Sequence, residues 1–231
     1  MLITDKVRSQ VPGALRQAAR AGAVWMALSA FWTVPALAAD AAARGPDTPP
    51  DALVKSVSSE VLEDIRNDKA LRSGDIDKLQ KLIDDKVAPY VDLERMTRLA
   101  VGRGWRAATA EQRADLMREF RTLLVRTYSG ALSHVTDHQV KMGPFRSQPG
   151  DTDVVVRSQV VPSAGEPLQL DYRLEKTDAG WKIYDVNILG ISLVENFKNS
   201  FASEISQGGV EGLIKSLTER NRQLAASGGK G

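Results

Sequence analysis

The hydrophobic pattern of this chain changes its period once, near Ser133, and this change constrains the fold more than any other feature. Before Ser133 the apolar residues recur every three or four positions, which is typical of helices that bury one side. After Ser133 they alternate with polar residues, most clearly in LQLDYRLE, residues 168–175. Such alternation predicts a sheet with one solvated face and one covered face, and the helices have to supply the cover.

Four segments share the alternating pattern and are predicted strands: residues 135–142, 153–161, 167–175 and 181–189. The separators between them are rich in Gly, Pro, Ser and Asp, which favours short turns and an antiparallel meander. In the last strand Ile183, Asp185 and Asn187 share one face by alternation. We therefore assign Val186 and Ile188 to the covered face.

Helical periodicity predicts helices before and after the sheet. The first group covers about residues 51–65, 76–87, 92–100 and 109–132. Thr109 and Gln112 form a capping box for the longest helix, and Ser192 and Glu195 form another one after the sheet. Two glycines at 208 and 209 divide the C-terminal segment into two helices. The sequence thus predicts an α+β fold with N-terminal helices, a four-stranded antiparallel twisted sheet and two closing C-terminal helices.

The N-terminus has the pattern of a secretory signal peptide. Basic residues precede the uncharged run AGAVWMALSAFWTVPALAA, which contains the small-residue site Ala36-Leu37-Ala38. A permanent membrane anchor is the alternative, because the run is just long enough to span a bilayer. We favour cleavage after Ala38, since Pro35 and the cleavage site both lie at the end of the run.

Cleavage leaves a single domain with short flanking segments. The predicted organisation is a cleaved signal peptide at 1–38, a disordered leader at 39–50, one domain at 51–224 and a disordered tail at 225–231. The formal net charge of the chain is +2, and the signal segment contributes more than this excess. Without the signal segment the chain has no excess of basic residues, so no nucleic-acid partner is expected.

The sequence lacks the motifs of catalysis and metal binding. GISLV around Ser192 is missing the last glycine of a nucleophile elbow, and GRGW at 102–105 does not follow a predicted strand as a dinucleotide fingerprint does. The two histidines, His134 and His138, have no cysteine to complete a zinc site. No catalytic residue, metal or cofactor is therefore predicted, and we expect the protein not to be an enzyme.

Two stretches resemble a known family. The first, VDLERMTRLAVGRGWRAATAEQRADLMREFRTLLVRTYSGAL at 91–132, combines Arg-Met, Gly-Arg-x-Trp, a Gln-Arg helix and Leu-x-x-x-Tyr. The second, WKIYDVNILGISLVENFKNSFASEISQGGVEGLI at 181–214, contains Tyr-Asp-Val and then Gly-Ile-Ser-Leu-Val. In order and spacing they resemble the MlaC-type periplasmic phospholipid-binding proteins, also called the toluene-tolerance family, over about residues 51–222. Leu93 and Phe197-Lys198 depart mildly, standing where an aromatic residue and Tyr-Arg are common.

The resemblance implies a soluble lipid carrier of the periplasm. Proteins of this family shuttle phospholipid between an outer-membrane lipoprotein–porin complex and an inner-membrane ABC transporter with a lipid-binding subunit. Their work is linked to outer-membrane lipid asymmetry and solvent tolerance. The acyl tails occupy an apolar cavity between helices and sheet, so the phospholipid is cargo rather than a cofactor. A monomer is expected, because no long exposed apolar element is left over.

The candidate lipid-binding residues are apolar side chains at which the predicted sheet and helices face each other. Periodicity alone leaves open whether they line a cavity or fill a core, because both need the same residues. On the sheet they are Val154, Val156, Leu170, Tyr172, Val186 and Ile188. On the helices they are Leu93, Met96, Phe120, Leu124, Tyr128, Leu193, Phe197 and Phe201.

Two other functions stay open at this point. A non-carrier scaffold of a transport complex would have a solid core and would hold no lipid. A small periplasmic hydrolase would need convergent ionisable groups, and the predicted pocket faces contain almost none.

Overall fold

The computed structural model describes residues 44–133 and 137–228. The predicted signal peptide at 1–38 lies outside the described residues, as do residues 39–43 of the predicted leader and 229–231 of the predicted tail. Within the described ranges the chain forms helices first, then an antiparallel sheet and then a long kinked helix. The predicted α+β fold is confirmed.

The helices agree with the periodicity except where they are very short. Their bounds are α1 (Pro50–Asn67), α2 (Lys69–Arg72), α3 (Ile76–Lys86), α4 (Leu93–Val101), α5 (Gly104–Ala107), α6 (Ala110–Ser133) and α7 (Leu193–Gly228). The sequence did not predict α2 and α5, which are single turns, or the 3₁₀ turn at Ala88–Tyr90. The two predicted C-terminal helices are the halves of α7. They meet at Gly209, whose φ of 65° and ψ of −168° interrupt the helical backbone.

The described part of the predicted leader contacts α1, and that of the predicted tail continues α7. Arg44, in the predicted leader, donates a hydrogen bond to Ser56 Oγ at 2.9 Å and forms an ion pair with Glu60 of α1. At the other end α7 continues to Gly228, so the first residues of the predicted tail are helical.

The capping box at the start of α6 forms as predicted. The Gln112 N–H donates to Thr109 Oγ1 at 3.2 Å, and the Thr109 N–H donates to Gln112 Oε1 at 3.1 Å. Each bond pairs a backbone donor with a side-chain acceptor, so the first turn of this long helix is well defined.

The capping box at the start of α7 forms only in part. The Glu195 N–H donates to Ser192 Oγ at 3.1 Å, whereas the Glu195 carboxylate pairs with Lys198. Asp185 of the sheet supplies the second cap, because its carboxylate accepts from Ser192 Oγ at 2.6 Å and from the Val194 N–H at 3.1 Å. Since Asp185 is only 3% exposed, this contact fixes the start of α7 against the sheet.

The sheet is an antiparallel meander in the order β1-β2-β3-β4-β5. Its strands are β1 (Gln139–Met142), β2 (Asp153–Val161), β3 (Leu168–Thr177), β4 (Gly180–Ile188) and β5 (Ile191–Ser192). The sequence predicted four of these five strands, and β5 is a two-residue strand that pairs with the end of β4. Of the predicted start of the first strand, residues 135 and 136 lie outside the described residues, while Asp137 and His138 precede β1 and are not part of a strand.

A bulge in β4 corrects the assignment of its faces. At Leu174 the register of β3 shifts, so that Leu174 pairs with Ile183 and Tyr184 becomes an extra residue. Val186 therefore lies on the same face as Ile183, and the prediction that Ile183 shares a face with Asp185 was wrong. Alternation fails here because one inserted residue reverses the face of every side chain beyond it.

Three apolar clusters hold the elements together. The helix cluster joins α4, α5, α6 and α7 around Phe120, Phe197 and Phe201. The sheet cluster places α1 on the apolar face of β2, β3 and β4, around Val156 and Leu174. A third cluster joins α1, α2 and α3 around Ile65.

Candidate functional site

The apolar face of the sheet is closed at one end and open at the other. At the closed end the side chains of the sheet cluster, Leu174 among them, are buried under α1. At the opposite end, where β3 begins and β4 ends, the apolar side chains of these two strands are only half-buried. They form two cross-strand pairs, Leu170 with Ile188 and Tyr172 with Val186, and we call these four residues the open face.

The helices pack around the open face and cover it only in part. Helix α1 contacts β1 and β2, and α7 contacts β4 and β5. Among the residues that the structure describes, α6 makes no extensive contact with any strand. The C-terminus of α6 is close in sequence to this end of the sheet. β1 is the next element after α6, and its first residue, Gln139, pairs with Val161 at the end of β2. The open face is thus flanked by α1 on one side and by α7 on the other.

Four predicted residues on the helices are also half-buried: Leu93, Leu124, Tyr128 and Leu193. Leu124 packs at the margin of the helix cluster, and burial raises the pKa of the Tyr128 hydroxyl. Leu193 is the first residue of α7 and follows β5 directly. These positions share with the open face a partial burial that is unusual for large apolar side chains in a filled core.

The remaining predicted residues are fully buried in two separate clusters. Met96, Phe120, Phe197 and Phe201 lie in the helix cluster, while Val154 and Val156 lie in the sheet cluster. The ring of Phe120 meets those of Phe197 and Phe201 edge to face, at centroid distances of 5.2 and 5.3 Å. The structure therefore divides the predicted set into a packed part and a half-buried part, which periodicity could not separate.

One residue on the apolar face was missed by sequence reasoning. Ser158 pairs across the sheet with Met142 on one side and Leu170 on the other, so its side chain shares their face. It is 1% exposed, and its Oγ has no hydrogen-bond partner among the described residues. The sequence contained a signal, namely a polar residue at a covered-face position, but a search for apolar side chains passes over it.

The opposite face of the sheet carries a charged network that holds α4 in place. Arg95 pairs with Glu175 of β3 and, at 3.3 Å, with Asp153 of β2. Its guanidinium also lies 3.6 Å from the ring centroid of Tyr184. Burial raises the pKa of Glu175, and so does a hydrogen bond that its protonated carboxyl donates to Asp92. These groups join helix to strands and do not face the apolar side of the sheet.

The described ranges, 44–133 and 137–228, contain neither a cluster of metal ligands nor a membrane-spanning helix. They contain no group of three or more His, Cys, Asp or Glu placed to hold a metal ion. No helix in the same ranges has the length and apolar character that crossing a bilayer demands.

The fold and the open face define the class of this protein: an α+β domain in which helices cover an antiparallel meander but leave part of its apolar face free. Comparison with known proteins identifies the family within this class. The family described as "MlaC protein" matches residues 55–219, which is more than half of the chain. The chain belongs to the MlaC family, and the resemblance seen in the sequence is confirmed.

Relatives and a solved structure agree with this assignment. The chain is 21% identical over 180 residues to "Intermembrane phospholipid transport system binding protein MlaC" of Haemophilus influenzae, covering 77% of this chain and 84% of the relative. It is 23% identical over 163 residues to "Toluene tolerance protein ttg2D" of Pseudomonas putida, covering 70% and 75%. A phospholipid-binding protein from Ralstonia solanacearum, solved in complex with a phospholipid, is 49% identical with a TM-score of 0.73, covering 76% of this chain and 98% of that one.

Proposed function

We propose that this protein carries phospholipid through the periplasm, between the outer membrane and an inner-membrane ABC transporter, with acyl tails held against the open face. The observation that carries the proposal is the open face, an apolar sheet surface left half-buried in a chain 49% identical to a protein solved with phospholipid. A contiguous accessible apolar surface marks a ligand or partner site more often than an ordinary surface.

The energetics of lipid transfer favour such a face. Moving acyl chains from a bilayer into water costs about 0.8 kcal/mol of free energy per methylene. The transfer of two chains of ~15 methylenes each would therefore cost ~24 kcal/mol. A carrier has to replace most of this without greatly exceeding it, because otherwise the lipid would not leave the membrane or would not be released. Non-directional apolar contact meets both demands and needs no catalytic residue, metal or cofactor.

The division of the predicted residues suggests two roles. We assign the half-buried side chains to direct contact with the tails: Leu93, Leu124, Tyr128, Leu170, Tyr172, Val186, Ile188 and Leu193. The buried side chains would form the supporting walls: Met96, Phe120, Val154, Val156, Phe197 and Phe201. In this arrangement the lipid occupies a cavity between α6 and the open face, with its headgroup near the open end of the sheet.

The route and the partners belong to the same proposal. The relative in H. influenzae is described as the binding protein of an intermembrane phospholipid transport system, which supports a shuttle. The donors and acceptors would be an outer-membrane lipoprotein–porin complex and an ABC transporter with a lipid-binding subunit. The predicted signal peptide would deliver a monomeric single domain, residues 51–224, to the periplasm.

The decisive variant is Leu170→Asp, because it puts a charge on the open face. We expect the purified protein to release near-stoichiometric phospholipid into an organic extract, measured by mass spectrometry. Burying an unpaired carboxylate against acyl chains is strongly unfavourable, so Leu170→Asp should lower the bound lipid at least about tenfold.

Val155→Asp is the matched control. Val155 lies on the neighbouring strand, pairs with Arg173 on the opposite face and is 38% exposed. This variant should keep its lipid, which separates an effect of the open face from a general effect of charge in the sheet. Full lipid occupancy in folded Leu170→Asp protein would contradict the assigned site, and a lipid-free wild type would favour the scaffold function instead.

A further inference from the structure

The hydroxyl of Ser158 is a polar group isolated on an apolar surface. Its cross-strand neighbours on the same face are Met142 and Leu170, and the side chain is 1% exposed. Its Oγ has no hydrogen-bond partner within the part of the chain that the structure describes. An unpaired buried hydroxyl destabilises a folded protein, and alanine at this position would remove that cost. The hydroxyl could therefore gain from a hydrogen-bond partner that the described residues do not provide.

The other buried polar atoms without a partner do not share this setting. Asn187, for example, has an unpaired Oδ1, but it pairs across the sheet with Asp171 on the polar face. Among the described residues, Ser158 alone combines an unpaired buried oxygen with a position on the apolar side of the sheet. It also adjoins the open face directly, because Leu170 is its partner in β3.

The depth of Ser158 matches a particular part of a lipid. Strand β2 ends at Val161 at the open end of the sheet, three positions beyond Ser158. At about 3.3 Å per residue the hydroxyl lies about 10 Å inside that end. A diacyl lipid with its headgroup at the open end has its ester carbonyls just below the phosphate and its tails deeper. The carbonyl oxygens are the strongest hydrogen-bond acceptors that such a lipid offers at this level.

We propose that a bound lipid displaces the apolar side chains that bury Ser158, and that Ser158 Oγ then donates a hydrogen bond to an ester carbonyl oxygen of the lipid and thereby selects ester-linked diacyl lipids. This inference rests on the proposed carrier function and adds a specificity-determining residue to it. The tails supply the affinity, whereas the hydroxyl sets the depth at which the glycerol backbone lies. An apolar pocket alone would accept any amphiphile with tails of the right length, so one directional contact is enough to distinguish ester-linked lipids.

The test compares two lipids on two proteins. A diester phospholipid and its diether analogue, with the same chains and headgroup, compete with a fluorescent phospholipid on lipid-free wild type and on Ser158→Ala. We expect wild type to prefer the diester by about three- to tenfold, the range for one net hydrogen bond. Ser158→Ala should lose this preference by weakening diester binding while leaving diether binding unchanged. Ser158→Thr keeps the hydroxyl and should restore the preference.

The outcomes separate this inference from the carrier function. If wild type binds neither lipid, the proposed function fails. If wild type binds both lipids equally, or if Ser158→Ala weakens both by the same factor, the role of the hydroxyl is overturned while the carrier stands. The melting temperature of lipid-free Ser158→Ala provides the folding control, and it should equal or exceed that of wild type, since an unpaired hydroxyl has been removed.

Discussion

Gly180 lies close to the backbone of Pro46. Its φ of +100° belongs to the left-handed region that favours glycine, and a Cβ built on it would meet Pro46 Cα at 3.0 Å and Pro46 O at 3.2 Å. Gly190 has a similar φ of +85° but nothing within 4 Å of the same Cβ position. Glycine at 180 is therefore favoured both by the backbone conformation and by the close approach of Pro46, whereas glycine at 190 is favoured by the backbone conformation alone.

Substituting these two glycines separates the two contributions. We expect Gly190→Ala to lower the free energy of unfolding by about 1 kcal/mol, the cost of a left-handed non-glycine residue. Gly180→Ala should lower it by about 2–3 kcal/mol, because the segment around Pro46 has to move as well. Urea denaturation of both variants measures the difference. Equal losses would show that the contact with Pro46 contributes nothing to stability.

At the scale of elements, two glutamates join their helices and strands with opposite electrostatic consequences. Glu60 of α1 is hydrogen-bonded by Lys86, the last residue of α3, and by Arg44, and these contacts hold its pKa below the ordinary value of 4.5. Glu175 of β3 lies beside Arg95 of α4, but burial and then Asp92 raise its pKa above 4.5. Their side chains are similarly accessible, 27% and 23%, so the difference comes from their partners.

The two pKa shifts predict opposite pH profiles. Glu60 stabilises the fold above its ordinary pKa, and that stabilisation is lost as the pH falls through the lowered folded value. Glu60→Gln should thus lower the free energy of unfolding at pH 7 by about 0.5–1 kcal/mol, with the difference vanishing in acid. The ionised Glu175 is disfavoured in the fold, so stability falls as the pH rises from 4.5 through its raised pKa. Glu175→Gln should therefore gain stability at pH 7 and match wild type below pH 4.5.

Urea denaturation between pH 3 and pH 8 checks both profiles against wild type. Each variant serves as the control for the other, since both replace one partly exposed carboxylate by an amide. If both variants changed the free energy of unfolding at pH 7 in the same direction, the opposite roles assigned to the two side chains would be contradicted.

At the scale of the whole molecule, the helix cluster and the sheet cluster meet at a shared neighbour, and the open face adjoins the sheet cluster. Val91 packs against both clusters, and Asp185 of β4 caps α7. A ligand on the open face would add apolar contact between the clusters where the chain supplies little. Lipid is therefore expected to act as part of the core, and its removal should affect the whole domain.

Removing the lipid should lower the melting temperature, and adding it back should raise the temperature in a concentration-dependent way. At a free lipid concentration of 100 times Kd the expected stabilisation is about 2.7 kcal/mol. Calorimetry measures the shift, and Leu170→Asp is the control that should show none. Hydrogen exchange should slow in β3 and β4 but not in the third cluster around Leu79. A lipid-independent melting temperature in wild type would contradict the role of lipid as core.

Much of the architecture was predictable, because it depends on short-range geometry. The bounds of β2, Asp153–Val161, were predicted residue for residue, and the capping box of Thr109 and Gln112 formed as expected. A side chain repeats its direction every two residues in a strand and about every 3.6 in a helix, so apolar spacing reveals the element. The short β5 and the single-turn helices were not predicted, since each contains only about one repeat of its pattern and a single repeat shows no recurrence.

The sequence by itself determined the α+β order, the one-sided sheet and the family motifs, all of which are written in local spacing and residue type. Only the tertiary structure decided how accessible each apolar side chain is: Phe120 is fully buried while Leu170 is half-buried, although both were predicted in the same set. It also decided the face of Ile183, through the bulge at Tyr184, and the isolation of the Ser158 hydroxyl. The physical reason is that burial depends on which distant segments pack opposite a side chain, and no local period records that.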